Sequence, residues 1–112
     1  MMANITSHTL DGFSGNHAAG IEVFLIDTKT GLKVFRSKMD QGGRLSIEIQ
    51  SEDINPNTIY ELVFETGAYW DAIGIRARVS EIALRFQMED PNGSYHMPII
   101  INPHSYSTWI SH

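Results

Sequence analysis

Cysteine is absent from this chain, which excludes disulfides, thiol nucleophiles and cysteine metal sites and fits a reducing, cytoplasmic location. Basic residues are few and scattered: 8 Lys and Arg stand against 13 Asp and Glu, for a formal charge of −5. Binding phosphates requires a cationic surface that releases counterions, so neither a nucleic acid nor an anionic membrane is an expected partner. No apolar run approaches the roughly 18 residues needed to cross a bilayer. The opening MMANITSHTLDG has neither the basic nor the apolar region of a secretory signal. A glycine-rich phosphate loop, HExxH and GxSxG are also missing, and the five histidines are too dispersed for a local metal motif. No cofactor or metal is expected, and any catalytic groups must meet through the fold.

What is present is short-range alternation. The 112 residues suffice for one domain, 1–112, with a single core. Runs of period-2 apolar and polar residues are separated by Gly, Pro, Asn and Asp clusters, an all-β signature. In GIEVFLID, Ile21, Val23 and Leu25 share one face and Glu22, Phe24 and Ile26 the other, as strand geometry requires. Both faces carry apolar residues, which suggests that one meets a partner subunit. TKTG and DQGG read as turns into LKVFRSK and RLSIEIQ, giving a three-strand meander. Further strands are expected in NITSHTL, IYELVFET, VSEIALRFQM, YHMPIII and HSYSTWI, with Pro98 confined to an edge or bulge because it lacks an N–H. TGAYWDAIGI is the one credible helix, with Tyr69 and Trp70 packing beneath it. About eight strands and one short helix predict a two-sheet β-sandwich with Greek-key connections.

Few residues offer chemistry. His8 shares a strand face with Thr6 and Leu10, so half-burial would shift its pKa. Ser7 points to the opposite face and cannot form a Ser–His couple with it. His96, in SYHMP, has the same standing as His8; for both, the bland reading is a satisfied strand histidine. Arg44 follows Gly-Gly at a turn; it is either a solvated strand start or a planar fork for a carboxylate, ureide or oxyanion. The acids Glu48, Glu52, Asp53 and Glu61 read as a solvated face, and Met39 and Met88 as core.

Several segments taken in order carry a resemblance. SHTLDGFSGNHAAGIEVFL, DQGGRL, YELVFETGAYW and YHMPIIINPHSYST resemble the transthyretin superfamily, in particular its enzymatic branch, the 5-hydroxyisourate hydrolases of purine catabolism. The resemblance covers essentially the whole chain. It implies a transthyretin-like sandwich assembled as a homotetramer, a dimer of dimers with a channel between the dimers that holds the active site. By position it assigns His8, Arg44 and His96 to the family's catalytic residues, all three lacking in the carrier branch. The hydrolases close on Tyr-Arg-Gly-Ser, where this chain has Trp109, Ile110, Ser111 and His112. Those four residues are the candidate substrate contacts, Trp109 by stacking on a planar ring and His112 in place of the terminal serine. Ser94 likewise replaces a family histidine. The resemblance therefore implies a hydrolase of a small planar cyclic amide or ureide, 5-hydroxyisourate by default. The alternatives are a diverged enzyme acting on another heterocycle or lactone in a biosynthetic pathway, and a small-molecule binding protein using the channel.

Overall fold

The computed structural model describes residues 1–111. Its strands are β1 (Met2–Asp11), β2 (Glu22–Asp27), β3 (Lys33–Lys38), β4 (Arg44–Gln50), β5 (Tyr60–Phe64), β6 (Ile82–Phe86), β7 (Ser94–His96), β8 (Ile99–Ile101) and β9 (Tyr106–Thr108). One helix, α1 (Thr66–Ala72), follows β5. The strands form two sheets. One runs β4-β1-β8-β9 with β7 also paired to β1, and the other runs β3-β2-β5-β6. This is the expected sandwich with its single short helix, and period-2 alternation produces it directly. Val23, Leu25, Leu62 and Phe64 from one sheet and Ala3, Ile5, Ile99 and Ile101 from the other are fully buried between the layers, where burial stabilises each large side chain by about 1.5–3 kcal/mol. Trp70 of α1 is fully buried in this core, and Met39 and Met88 belong to it as expected. No helix among the described residues is long and apolar enough to cross a membrane.

The meander is not formed. β2 pairs with β3 as expected, but β4 crosses to the other sheet and pairs along seven residues with β1. The cause lies in the Asp40–Gly43 turn. Gly43 has φ +72, and its carbonyl accepts the Thr9 N–H at 2.7 Å, so the turn is bonded to β1 instead of reversing the chain beside β3. On the outer face of β2, Phe24 is covered within the same chain by Lys33, 4.5 Å from its ring centroid, and by Arg36.

YHMPIII is two strands, not one. β7 and β8 both run parallel to β1, opposite Asn4–Thr6 and Thr9–Asp11 respectively. The break falls at Met97–Pro98, where the missing proline N–H interrupts the ladder. Ser7 bridges it by donating from Oγ to the Met97 carbonyl at 2.6 Å.

Candidate functional site

Backbone register assembles the site on the outer face of β1. Period-2 alternation turns Ser7, Thr9 and Asp11 into the core and leaves Thr6, His8 and Leu10 half-exposed on the other side. Antiparallel pairing sets Arg44 of β4 directly opposite His8 and Ser46 opposite Thr6, while parallel pairing sets His96 of β7 beside Thr6. The three residues named from sequence as catalytic are thereby brought together by two sets of ladder bonds. Directly opposed residues of an antiparallel pair have Cβ atoms only about 4.5–5.5 Å apart.

Each side chain is held differently. The Asp40 carboxylate accepts the backbone N–H groups of Gly42 and Arg44, both at 2.9 Å, which fixes the turn and the point from which Arg44 departs. The Arg44 side chain has no carboxylate partner among the described ion pairs and is exposed. His96 is half-buried, and its Nδ1 lies 2.8 Å from Thr6 Oγ1, which fixes the ring and leaves Nε2 for a substrate or water. A cleft of about 320 Å³ runs along this face, walled by Thr6, Asp40, Arg44, Leu45, Ser46 and His96. His8 stands beside Arg44, next to that wall.

Electrostatics separate His8 from an ordinary imidazole. Burial lowers its pKa from 6.5, the Arg44 guanidinium and then the His17 and His96 rings lower it further, and hydrogen bonding to the Gly42 backbone pulls it partly back. The charged form is disfavoured, so His8 is a neutral base at neutral pH.

The chain end is tied to the same place. Ser111 N–H donates to the His96 carbonyl at 2.9 Å, and His96 N–H donates to the Ser111 carbonyl at 2.8 Å. Ser111 thus adjoins a catalytic candidate through the backbone. Trp109 and Ile110 are exposed, at 53% and 42%, and His112 lies outside the described residues. No cluster of three or more His, Asp or Glu able to hold a metal occurs among the described residues.

Sequence reasoning missed His17. Its Nδ1 lies 2.9 Å from His8 Nε2, and the rings are 5.0 Å apart, tilted by 39°. The turn composition of DGFSGN signals only that the chain doubles back after β1; the ring contact follows from the antiparallel bridge between Leu10 and His17.

The sequence profile of the HIUase/Transthyretin family matches residues 5–110. The chain belongs to the HIUase/Transthyretin family. A 5-hydroxyisourate hydrolase from Pseudomonas aeruginosa is 31% identical, over 96% of this chain and 90% of that protein. The structure of Klebsiella pneumoniae 5-hydroxyisourate hydrolase superposes with a TM-score of 0.81 at 26% identity, covering 97% of this chain and 99% of the other. The crystal structure of (S)-allantoin synthase superposes with a TM-score of 0.84 at 24% identity, over 99% of this chain and 44% of that one; this last likeness concerns the fold alone. The relatives named here on sequence are enzymes, which favours the hydrolases over the carriers of the HIUase/Transthyretin family.

Proposed function

We propose that the protein is a hydrolase of purine catabolism that opens a small planar cyclic amide or ureide, with 5-hydroxyisourate as its substrate. The observation that carries this reading is the convergence of His8, Arg44 and His96 on one sheet face through fixed register. Ring opening needs a proton taken from water, charge stabilised on the carbonyl oxygen, and a proton given to the leaving nitrogen. The two imidazoles divide the proton transfers, each contributing about 10²–10⁴ in rate. Arg44, without a carboxylate partner among the described ion pairs, faces the developing oxyanion with a planar fork of donors. Trp109, Ile110 and Ser111 line the approach to the substrate, with Ser111 bonded beside His96.

A coupled assay tests this. Urate and urate oxidase generate 5-hydroxyisourate, and the decay of its absorbance is followed with the protein and with folded His8→Ala and His96→Ala variants. Acceleration by the wild type, reduced about 10²-fold or more in each variant, is the expected result. The altered tail supports a second reading, a different heterocycle or lactone, because Ser111, one of the residues that departs from the family tail, is bonded to the His96 backbone. A folded wild type that leaves 5-hydroxyisourate decay unchanged would favour that reading.

A further inference from the structure

We propose that His17 is a proton-relay residue of this site, the outer ring of an imidazole dyad through which His8 exchanges its proton. The inference rests on the hydrolase reading above and adds to it a residue outside the assigned trio.

Each imidazole nitrogen offers one in-plane hydrogen-bonding direction. In the dyad His8 Nε2 accepts from His17 Nδ1 at 2.9 Å, which leaves the proton of neutral His8 on Nδ1. A neutral His8 with its proton on Nδ1 presents a lone pair at Nε2, and His17 Nδ1 then carries the proton shared between the rings. Nε2 of His8 is thereby occupied and its Nδ1 holds a proton, so neither takes a proton from water directly. The dyad's free acceptor nitrogen is Nε2 of His17, for which the hydrogen bonds among the described residues provide no partner.

His17 is held in place although its side chain is exposed. Asp11 Oδ1 accepts the N–H groups of Phe13 at 2.8 Å and Ser14 at 2.9 Å. The Asp11 N–H donates to the Asn16 carbonyl at 2.8 Å, and the Ala18 N–H to the Thr9 carbonyl at 3.0 Å. Asp11 is itself anchored by the Tyr69 hydroxyl, 2.7 Å from Oδ2. The turn is therefore bonded on both sides of His17, and the ring meets His8 without a flexible linker.

In the relay, an O–H bond of the attacking water breaks and its proton passes to His17 Nε2. The N–H bond at His17 Nδ1 breaks as that proton passes to His8 Nε2. His8 becomes the imidazolium, His17 ends as the other neutral tautomer, and hydroxide attacks the carbonyl. The proton reaches the leaving nitrogen through His96 or by reversal of the relay. The charged and titratable groups around His8 are Arg44 on β4, His96 on β7, Asp40 in the turn before β4, and His17 itself.

The test uses the full-length protein with 5-hydroxyisourate and the variants His17→Ala and His17→Gln, both checked for folding by circular dichroism. Turnover by His17→Ala should fall about 10²-fold and recover in proportion to added imidazole, which replaces a proton carrier at an exposed position. His17→Gln retains a donor toward His8 but cannot relay, so its turnover should stay low. Wild-type turnover in either variant, or no response to imidazole, would overturn the relay while leaving the hydrolase reading intact. Should the wild type itself prove inactive on this substrate, nitrogen-15 NMR still decides on the dyad: neutral His8 must carry its proton on Nδ1, and His17→Gln must change the His8 Nε2 signal. A neutral His8 protonated at Nε2, or one whose signals ignore the His17 substitution, overturns it.

Discussion

At the residue scale, the site depends on keeping one imidazole uncharged beside a fixed cation. Burial and the Arg44 guanidinium are the two largest causes that lower the His8 pKa, so the acid limb of kcat/KM should lie below the 6.5 of free imidazole. In Arg44→Gln the guanidinium is gone and the charged form of His8 is less disfavoured. The limb should then move to higher pH, and turnover should fall about 10²–10³-fold through loss of the oxyanion clamp. A limb that stays in place in a folded Arg44→Gln enzyme would show that Arg44 does not act on His8. The same shift affects stability. As pH falls through 6.5 the unfolded chain takes up a proton that folded His8 resists, so folding weakens from there down to the folded pKa; His8→Gln should flatten that part of the stability profile. These effects were only partly legible in the sequence. Alternation put His8 on the half-exposed face and Ser7 on the buried one, because strand period alone determines it. The His8–His17 contact was not legible, because it depends on how tightly a polar turn closes, which residue types constrain but do not specify.

At the element scale, the Asp40–Gly43 turn decides which sheet β4 joins and therefore whether Arg44 reaches His8. A turn was legible in DQGG; its destination was not, since pairing partners are chosen by long-range contacts and not by turn composition. The same limit explains the split of YHMPIII. Pro98 announced an irregularity, but two strands flanking it, both parallel to β1, emerged from register. Gly43 is the critical residue of the turn. Its φ of +72 is one that L side chains rarely adopt, and a Cβ there would lie 2.6 Å from the Thr9 carbonyl oxygen, a backbone atom that cannot yield. Gly43→Ala should therefore destabilise the fold by about 1–3 kcal/mol from the left-handed conformation alone, measured by urea unfolding. It should also lower activity at temperatures where the variant is still folded, because Arg44 follows directly. Gly31→Ala, in the β2–β3 turn, serves as the control: it has a similar φ of +77 but nothing within 4 Å of its Cβ, and it should lose stability with less effect on turnover. Equal losses of turnover in both variants would detach the turn from the site.

At the scale of the whole molecule, the four sheet edges differ in charge. β3 carries Lys33, Arg36 and Lys38, β6 carries Arg85, and β4 carries Arg44 and Glu48, whereas β9 is Tyr106-Ser107-Thr108. Charged side chains protect an edge strand against pairing with another chain, and an uncharged edge invites it. β9 continues into exposed Trp109 and Ile110, and Tyr106 is 47% exposed, so the unprotected edge and the apolar surface coincide. A subunit that pairs through this edge would form a two-fold dimer, and stacking two dimers across the apolar tail would build the tetramer implied by the resemblance. Sedimentation equilibrium should accordingly give four times the 12.6 kDa chain mass. Trp109→Glu together with Ile110→Glu should reduce the assembly by introducing buried like charges. Because Ser111 bonds to His96 immediately beyond these residues, the same double variant should lose turnover in parallel with its dissociation, and regain it as protein concentration drives reassembly. A wild type that sediments as a monomer at micromolar concentration, yet is fully active, would mean that β9 is an open edge and that one subunit holds the complete site.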